Sequence, residues 1–214
     1  MTYVLYGDIG SGSSVVEMAL AEAGAEVDLR PVPLATDAQL AAEYRRINPM
    51  ARVPTLVLPD RTVMTETLAI LLTLADLHPA AGLLPEPGDA GRPKVLRWFA
   101  LAAAEGYPHV TRYDYPGRFS ADPAHAEAIR ARAQEMYRDL WRLVDAEAGL
   151  SGQPAAPFLL GARFTIADAY LAVLSRWVGG AAWLPEACPR LAMLARAVAS
   201  RPRIAPVWHR HWPG

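Results

Sequence analysis

The chain has 214 residues, enough for one domain or two small ones and for a sizeable core. Hydrophobic residues make up 52%, charged residues 20%, and the formal net charge is −1, a globular balance without the basic footprint of a DNA- or RNA-binding protein. The single cysteine, Cys188, excludes a disulfide framework within the chain and a cysteine-based metal cluster.

The stretch from Met1 to Asp8 has no basic region and meets an acid early, so it does not read as a signal peptide. The longest aliphatic stretch, around Leu68 to Ala75, is too short to span a bilayer. The expected location is the cytoplasm, with no nucleic-acid or membrane partner.

In chain order, Tyr3-Val4-Leu5-Tyr6 reads as a strand running into a loop at Gly7-Asp8. Ser11-Gly12-Ser13-Ser14 is rich in capping residues and precedes a helix over 15–23 that Gly24 stops. Val27 to Val32 alternates as a half-buried strand. Residues 38–47 form a helix or helical turn that must end before Pro49. Strands at 55–58 and 62–64 flank the turn Pro59-Asp60-Arg61, and a buried helix over 67–77 stops before Pro79. The order β-α-β-α-β-β-α predicts a mixed sheet with helices on both faces.

Prolines and glycines crowd residues 79–93, which read as a linker between domains at 1–78 and 94–214. No convincing strand follows. Helices are expected over 94–105, 124–147, 167–178 and 191–199. The long one carries Ile129, Ala133, Met136, Leu140 and Val144 as an inward stripe, with Arg130, Arg132, Arg138 and Arg142 on a solvated face. Thr165-Ile166-Ala167-Asp168 is a capping box in its Asp form. The aromatic tail, Pro206 to Pro213, is expected to pack back on the body.

Two segments carry chemistry. Pro54 precedes a β-run, and an X-Pro bond can be cis at modest cost. A cis bond there would turn the Val53 backbone outward to pair with an extended peptide. Glu66 and Thr67 open a helix whose N-terminal N–H groups and dipole favour an anion. Together they suit a short acidic peptide, although the same pair also serves as a simple N-cap.

The order and spacing of Asn48-Pro49, Val53-Pro54, Glu66-Thr67 with Ala69-Ile70, and the Thr165 to Asp168 box resemble the glutathione S-transferase superfamily over nearly the whole chain. The resemblance implies a thioredoxin-like N-terminal domain followed by an all-helical domain. It implies glutathione as co-substrate, no metal, and a homodimer. By resemblance, Val53 pairs with the cysteinyl backbone, Thr67 holds the γ-glutamyl carboxylate, Glu66 faces the amine, and Arg52 helps hold a carboxylate. Tyr107, Arg112 and Tyr113 would line the pocket for a hydrophobic electrophile, or pack as core.

A free thiol has a pKa of about 8.5, so only about 3% is thiolate at neutral pH. Lowering it by two units requires about 2.7 kcal/mol of thiolate stabilisation. A hydroxyl donor beside a helix N-terminus supplies much of that. The first loop offers Ser11, Ser13 and Ser14 and no cysteine, which resembles serine-type activation in theta-like and related bacterial members rather than thiol exchange. Ser11 is the expected donor because Ser11-Gly12-Ser13 resembles the Ser-Gly-Asn loop of bacterial relatives; Ser13 is a second donor, and Tyr6 is the rival. Capping explains the serines equally. Glu17 stands where many relatives carry Lys or Arg, which weakens a positive field over the thiolate. The expected activity is glutathione transfer to an electrophile. Alternatives are dehalogenation, isomerisation or peroxide reduction on the same site, or a non-catalytic binding or regulatory module.

Overall fold

The computed structural model describes residues 2–213. It divides into two compact units, Met1–Pro85 with Val198–Gly214, and Glu86–Ala197. In the first, β1 (Tyr3–Gly7), α1 (Ser13–Ala23), β2 (Val27–Pro31), α2 (Ala42–Ile47), β3 (Thr55–Val57), β4 (Val63–Met64) and α3 (Thr67–Leu77) follow one another. The sheet order is β2-β1-β3-β4. β1 runs parallel to β2, with Gly7 opposite Pro31, and antiparallel to β3, with Tyr6 opposite Thr55. β4 returns antiparallel to β3, Met64 opposite Leu56.

Period-two alternation assigns the faces of β1. Tyr3, Leu5 and Gly7 are buried; Val4 and Tyr6 are half-buried. The Tyr3 hydroxyl lies 2.8 Å from His78 just beyond α3, and Gly7 faces Ser13 of α1, so α1 and α3 share that face. On the other face the Tyr6 ring lies 5.9 Å from Tyr44 of α2. A Cβ on Gly7 would meet Ser13 Oγ at 2.1 Å, so only glycine lets the helix start this close to the strand. Gly24 ends α1 in the left-handed region, as its position in the sequence suggests.

The second unit is helical, with α4 (Arg92–Leu101), α5 (Tyr107–Asp114), α6 (Ala126–Glu147), α7 (Ile166–Arg176) and α8 (Gly180–Ala187); α9 (Pro189–Ala199) reaches its boundary. Beyond β4, only isolated bridges occur among the described residues, at Phe158–Gly161 and Leu160–Arg163. The helix expected over 94–105 instead opens into a wide π turn, Ala102–Gly106, and continues as α5. Pro108 has no N–H to give to the preceding turn, and the wider turn absorbs that loss. α8 was not expected, because Gly179, Gly180 and Pro185 disguise it as a break.

The α6 stripe is rotated from the expected one. Its buried residues are Ala133, Tyr137, Leu140, Trp141 and Val144, while Ile129 is half-buried and Met136 is 39% exposed. The two aromatics fill the core and displace Met136 outward. Of the four arginines, Arg132 and Arg142 pair with Glu135 and Asp139 on the exposed side. Arg130 and Arg138 are half-buried, against the expectation of a solvated face; Arg130 donates to the Tyr113 carbonyl and Arg138 lies over the Trp183 ring.

α7 begins with the expected capping box. Asp168 is fully buried and accepts from Leu159 N at 2.8 Å, Thr165 N at 2.7 Å and Thr165 Oγ1 at 2.8 Å. Burial pushes its carboxyl up to about 6 while these bonds pull the other way.

The tail belongs to the first unit, not to the helical one as the 94–214 boundary supposed. Arg201 grips Glu22 of α1 with two nitrogens, at 2.8 and 3.0 Å, and Arg203 donates to the Glu22 carbonyl. α10 (Ala205–His211) then packs along α1.

Candidate functional site

The strand directions bring the expected first-substrate residues to one end of the sheet. β1 ends there, at Gly7, and runs into the loop before α1. β3 begins there, at Thr55, opposite Tyr6 and directly after Val53 and Pro54. β4 also ends there and feeds α3 through Glu66. Two helix N-termini, those of α1 and α3, therefore lie at this end, where their unpaired N–H groups favour negative charge.

Between β1 and α1 the chain makes a turn from Asp8 to Ser11, closed by Ser11 N donating to the Asp8 carbonyl at 3.2 Å. Gly10 takes φ +72 in it. Ser11 and Ser13 hydroxyl oxygens lie 2.9 Å apart, and each donates to the Asp8 carbonyl, at 2.8 and 3.2 Å. Ser11 is half-buried; Ser13 is only 3% exposed. Ser11 Oγ also accepts from the N–H of Ser13, the first residue of α1, at 3.3 Å. Ser14 is buried and donates to the Ser11 carbonyl. The Asp8 carboxylate spans the loop, accepting from Ile9 N and Leu34 N at 2.8 Å each. Tyr6 is directed to the α2 face, away from Ser13.

The Val53–Pro54 bond is cis. The segment before it is held by two side chains absent from the expected site. Asn48 Nδ2 donates to the Arg52 carbonyl at 2.9 Å and to Thr55 Oγ1 at 3.0 Å, while its Oδ1 accepts from Met50 N at 3.0 Å. The Tyr44 hydroxyl donates to the same Arg52 carbonyl at 2.6 Å. The Arg52 side chain is exposed. Val53 finds no backbone partner among the described residues. Across the end of the sheet, Glu66 is exposed in the sparsely populated φ 63, ψ 106 conformation, and Thr67 is buried at the first turn of α3. A non-glycine residue held there points to a functional constraint.

The three candidates for the second pocket all lie on α5. Tyr107 packs edge-on against Trp177, with centroids 5.4 Å apart. Tyr113 is half-buried, and its carbonyl receives Arg130. Arg112 lines an open groove of about 560 Å³ with Phe119, Ile129, Arg132 and Met136, and its guanidinium lies over the Phe119 ring. His109 is buried with Nδ1 unpartnered, and burial holds its imidazole below the usual histidine range. Cys188 is buried and its thiol is pushed up to about 11, as suits an inert core thiol.

The structure also corrects the reading of Glu17. Its carboxylate is 6% exposed and pairs with Arg210 and, at 3.0 Å, with His211 Nε2. The Arg210 guanidinium of α10 therefore offsets the Glu17 charge. Both nitrogens of His211 are engaged, Nδ1 by the Gly10 N–H at 2.9 Å. No sequence pattern links residues so distant; the buried acid in α1 and the histidine in an aromatic tail were the available signals.

A mixed sheet domain with this strand order, followed by an all-helical domain, is the thioredoxin-like architecture of the glutathione S-transferases. Residues 13–77 match the glutathione S-transferase N-terminal domain family. Over 208 residues the chain is 29% identical to YncG, an uncharacterized GST-like protein of Escherichia coli strain K12, covering 97% of each. A glutathione transferase homolog from Sulfitobacter, solved with bound glutathione, superimposes with a TM-score of 0.88 at 28% identity over 96% of each chain. A sphingomonad glutathione S-transferase complexed with glutathione gives 0.78 at 27% identity, over 97% of this chain and 98% of that one. In sequence along nearly the whole chain, and in fold, the likeness is to glutathione S-transferases.

Proposed function

We propose that the chain binds glutathione at the sheet end described above and activates its thiol with Ser11 for addition to an electrophilic small molecule. The observation that carries this reading is convergence. A hydroxyl pair at one helix N-terminus, an unpartnered backbone at Val53 and a strained Glu66 at a second helix N-terminus meet at one end of the sheet. Val53 supplies the N–H and C=O for the cysteinyl residue. Thr67 and the α3 N-terminus take the γ-glutamyl carboxylate, and Glu66 its amine. Arg52, exposed and next to Val53 in the chain, is the cation for the remaining carboxylate.

Ser11 is preferred over Ser13 because it is the more exposed of the bonded pair. Its hydroxyl proton, shared with the Asp8 carbonyl, has only to rotate to reach an incoming sulfur. Ser13 then acts behind it, donating to Ser11 Oγ and leaving that oxygen's own proton free for the thiolate. Tyr6 faces the other side of the sheet. The absence of cysteine in the loop favours addition over thiol exchange, and a homodimer in the cytoplasm is the state expected from the resemblance.

Calorimetric titration with glutathione and the ultraviolet absorbance of the bound thiolate test the reading. The expected result is saturable binding below about 1 mM. Ser11→Ala should raise the bound thiol pKa by about 1–2 units. Absence of binding at millimolar glutathione sinks the proposal, and an unchanged thiol pKa in the variant removes Ser11 from its role.

A further inference from the structure

The turn that presents Ser11 is held from outside itself. Its central peptide joins Ile9 to Gly10. Flipping such a peptide interconverts a turn with negative φ at the third residue and one with positive φ. Glycine accepts both, so the residue at this position does not decide between them. The Gly10 N–H donates to Nδ1 of His211 at 2.9 Å, and Gly10 has φ +72. Acceptance at Nδ1 places the ring proton on Nε2, which donates to Glu17 Oε2 at 3.0 Å. His211 is 5% exposed. A buried line thus runs from a carboxylate on α1 through an imidazole on α10 to the peptide one residue before Ser11.

We infer that His211 is a positioning residue for the thiol-activating loop. By accepting the Gly10 N–H it selects the positive-φ form of the turn and so aims the Ser11 hydroxyl at the glutathione sulfur, with Glu17 setting the imidazole tautomer. The inference rests on the role proposed for Ser11. The groups facing the ring are Glu17 from α1, Arg210 from its own helix and Asp8 from the loop. Burial and Arg210 hold the imidazole down at about 4, against a smaller upward pull from Asp8, so it is a neutral acceptor at physiological pH. Protonation at Nδ1 would set one N–H against another.

His211→Phe keeps a ring and removes the acceptor; His211→Asn keeps an acceptor near the Nδ1 position. Glutathione affinity, the bound thiol pKa and hydrogen exchange of the Gly10 amide by nuclear magnetic resonance are read in all three proteins. In His211→Phe the bound thiol pKa should rise by about one unit, which from about 6.5 lowers the thiolate fraction at pH 7 about threefold. The Kd should change by less than about threefold, and Gly10 exchange should quicken at least about tenfold. His211→Asn should restore both. An unchanged thiol pKa in His211→Phe overturns the inference. So does a folded His211→Asn that ionises glutathione no better than His211→Phe, since the role is then packing. If His211→Phe does not fold, His211→Asn alone decides, and loss of thiol ionisation in that folded variant overturns it. If the wild-type protein does not ionise glutathione, the reading of Ser11 has failed. Gly10 exchange without ligand then stands alone: equal rates in wild type and His211→Phe overturn the hold on the loop, and a slower wild type upholds it.

Discussion

Arg52 illustrates how far a residue's chemistry lies from its identity. Its guanidinium is exposed, whereas its carbonyl receives both the Tyr44 hydroxyl and the Asn48 amide. Those two bonds hold the backbone that precedes Val53. Removing Asn48 leaves the Arg52 carbonyl and the Thr55 hydroxyl sharing Tyr44 alone. Asn48→Ala is expected to cost about 1–3 kcal/mol of stability, measured by urea unfolding. It should also weaken glutathione binding about tenfold, while leaving the pKa of the bound thiol where it was. Ser11→Ala should do the reverse, and the contrast separates a residue that shapes the cradle from one that touches sulfur. The Asn48-Pro49 and Val53-Pro54 pairs were legible as landmarks because proline restricts the chain in ways that depend on no distant partner. The Asn48 amide's targets were not legible, since they depend on how α2 lies against the start of β3.

At the scale of elements, local rules served where an element is decided locally. Gly24 stops α1, and Thr165 with Asp168 starts α7, through contacts made within a few residues. Rules failed where packing decides. Met136 lies on the right period for the core, yet Tyr137 and Trp141 beside it take the inward side because they bury far more surface. The wide turn at Ala102–Gly106 and the proline-bearing α8 belong to the same class. Asp168 shows how much one local device can carry. It is fully buried, and Leu159 N, Thr165 N and Thr165 Oγ1 all converge on it. Asp168→Ala strands these donors and uncaps α7, so a loss of about 2–4 kcal/mol is expected. Circular dichroism during thermal unfolding would register it as a lowered transition; an unchanged midpoint would show that the box is ornamental.

For the whole molecule, the first unit is discontinuous in sequence. Residues 1–85 bury two carboxylates of α1, Glu17 and Glu22, against residues from 198 onward. Prolines and glycines make residues 79–93 read as a linker, but the return of the tail was not legible, because ion pairs across nearly two hundred residues leave no periodic trace. A pH dependence follows. His211 and His109 are both held neutral by burial, while in the unfolded chain each takes up a proton near its ordinary value of about 6.5. The unfolded state therefore binds more protons as pH falls, and stability drops below about 6.5; the share due to His211 is fully lost by about 4. Urea midpoints measured from neutral to acid pH should fall in this window, and His211→Phe should flatten the slope.

Discontinuity also sets an order of events during synthesis. The β-sheet and α1 leave the ribosome long before Arg201, Arg210 and His211 exist, with the whole of the second unit translated in between. Until then Glu17 and Glu22 have no partners and must remain hydrated, so α1 cannot settle into its final burial. The nascent chain thus carries the sheet with the loop between β1 and α1 unfinished, and its contact with His211 forms only when translation reaches α10. A domain that looks N-terminal in its residues is, in time, among the last parts of the protein to be completed.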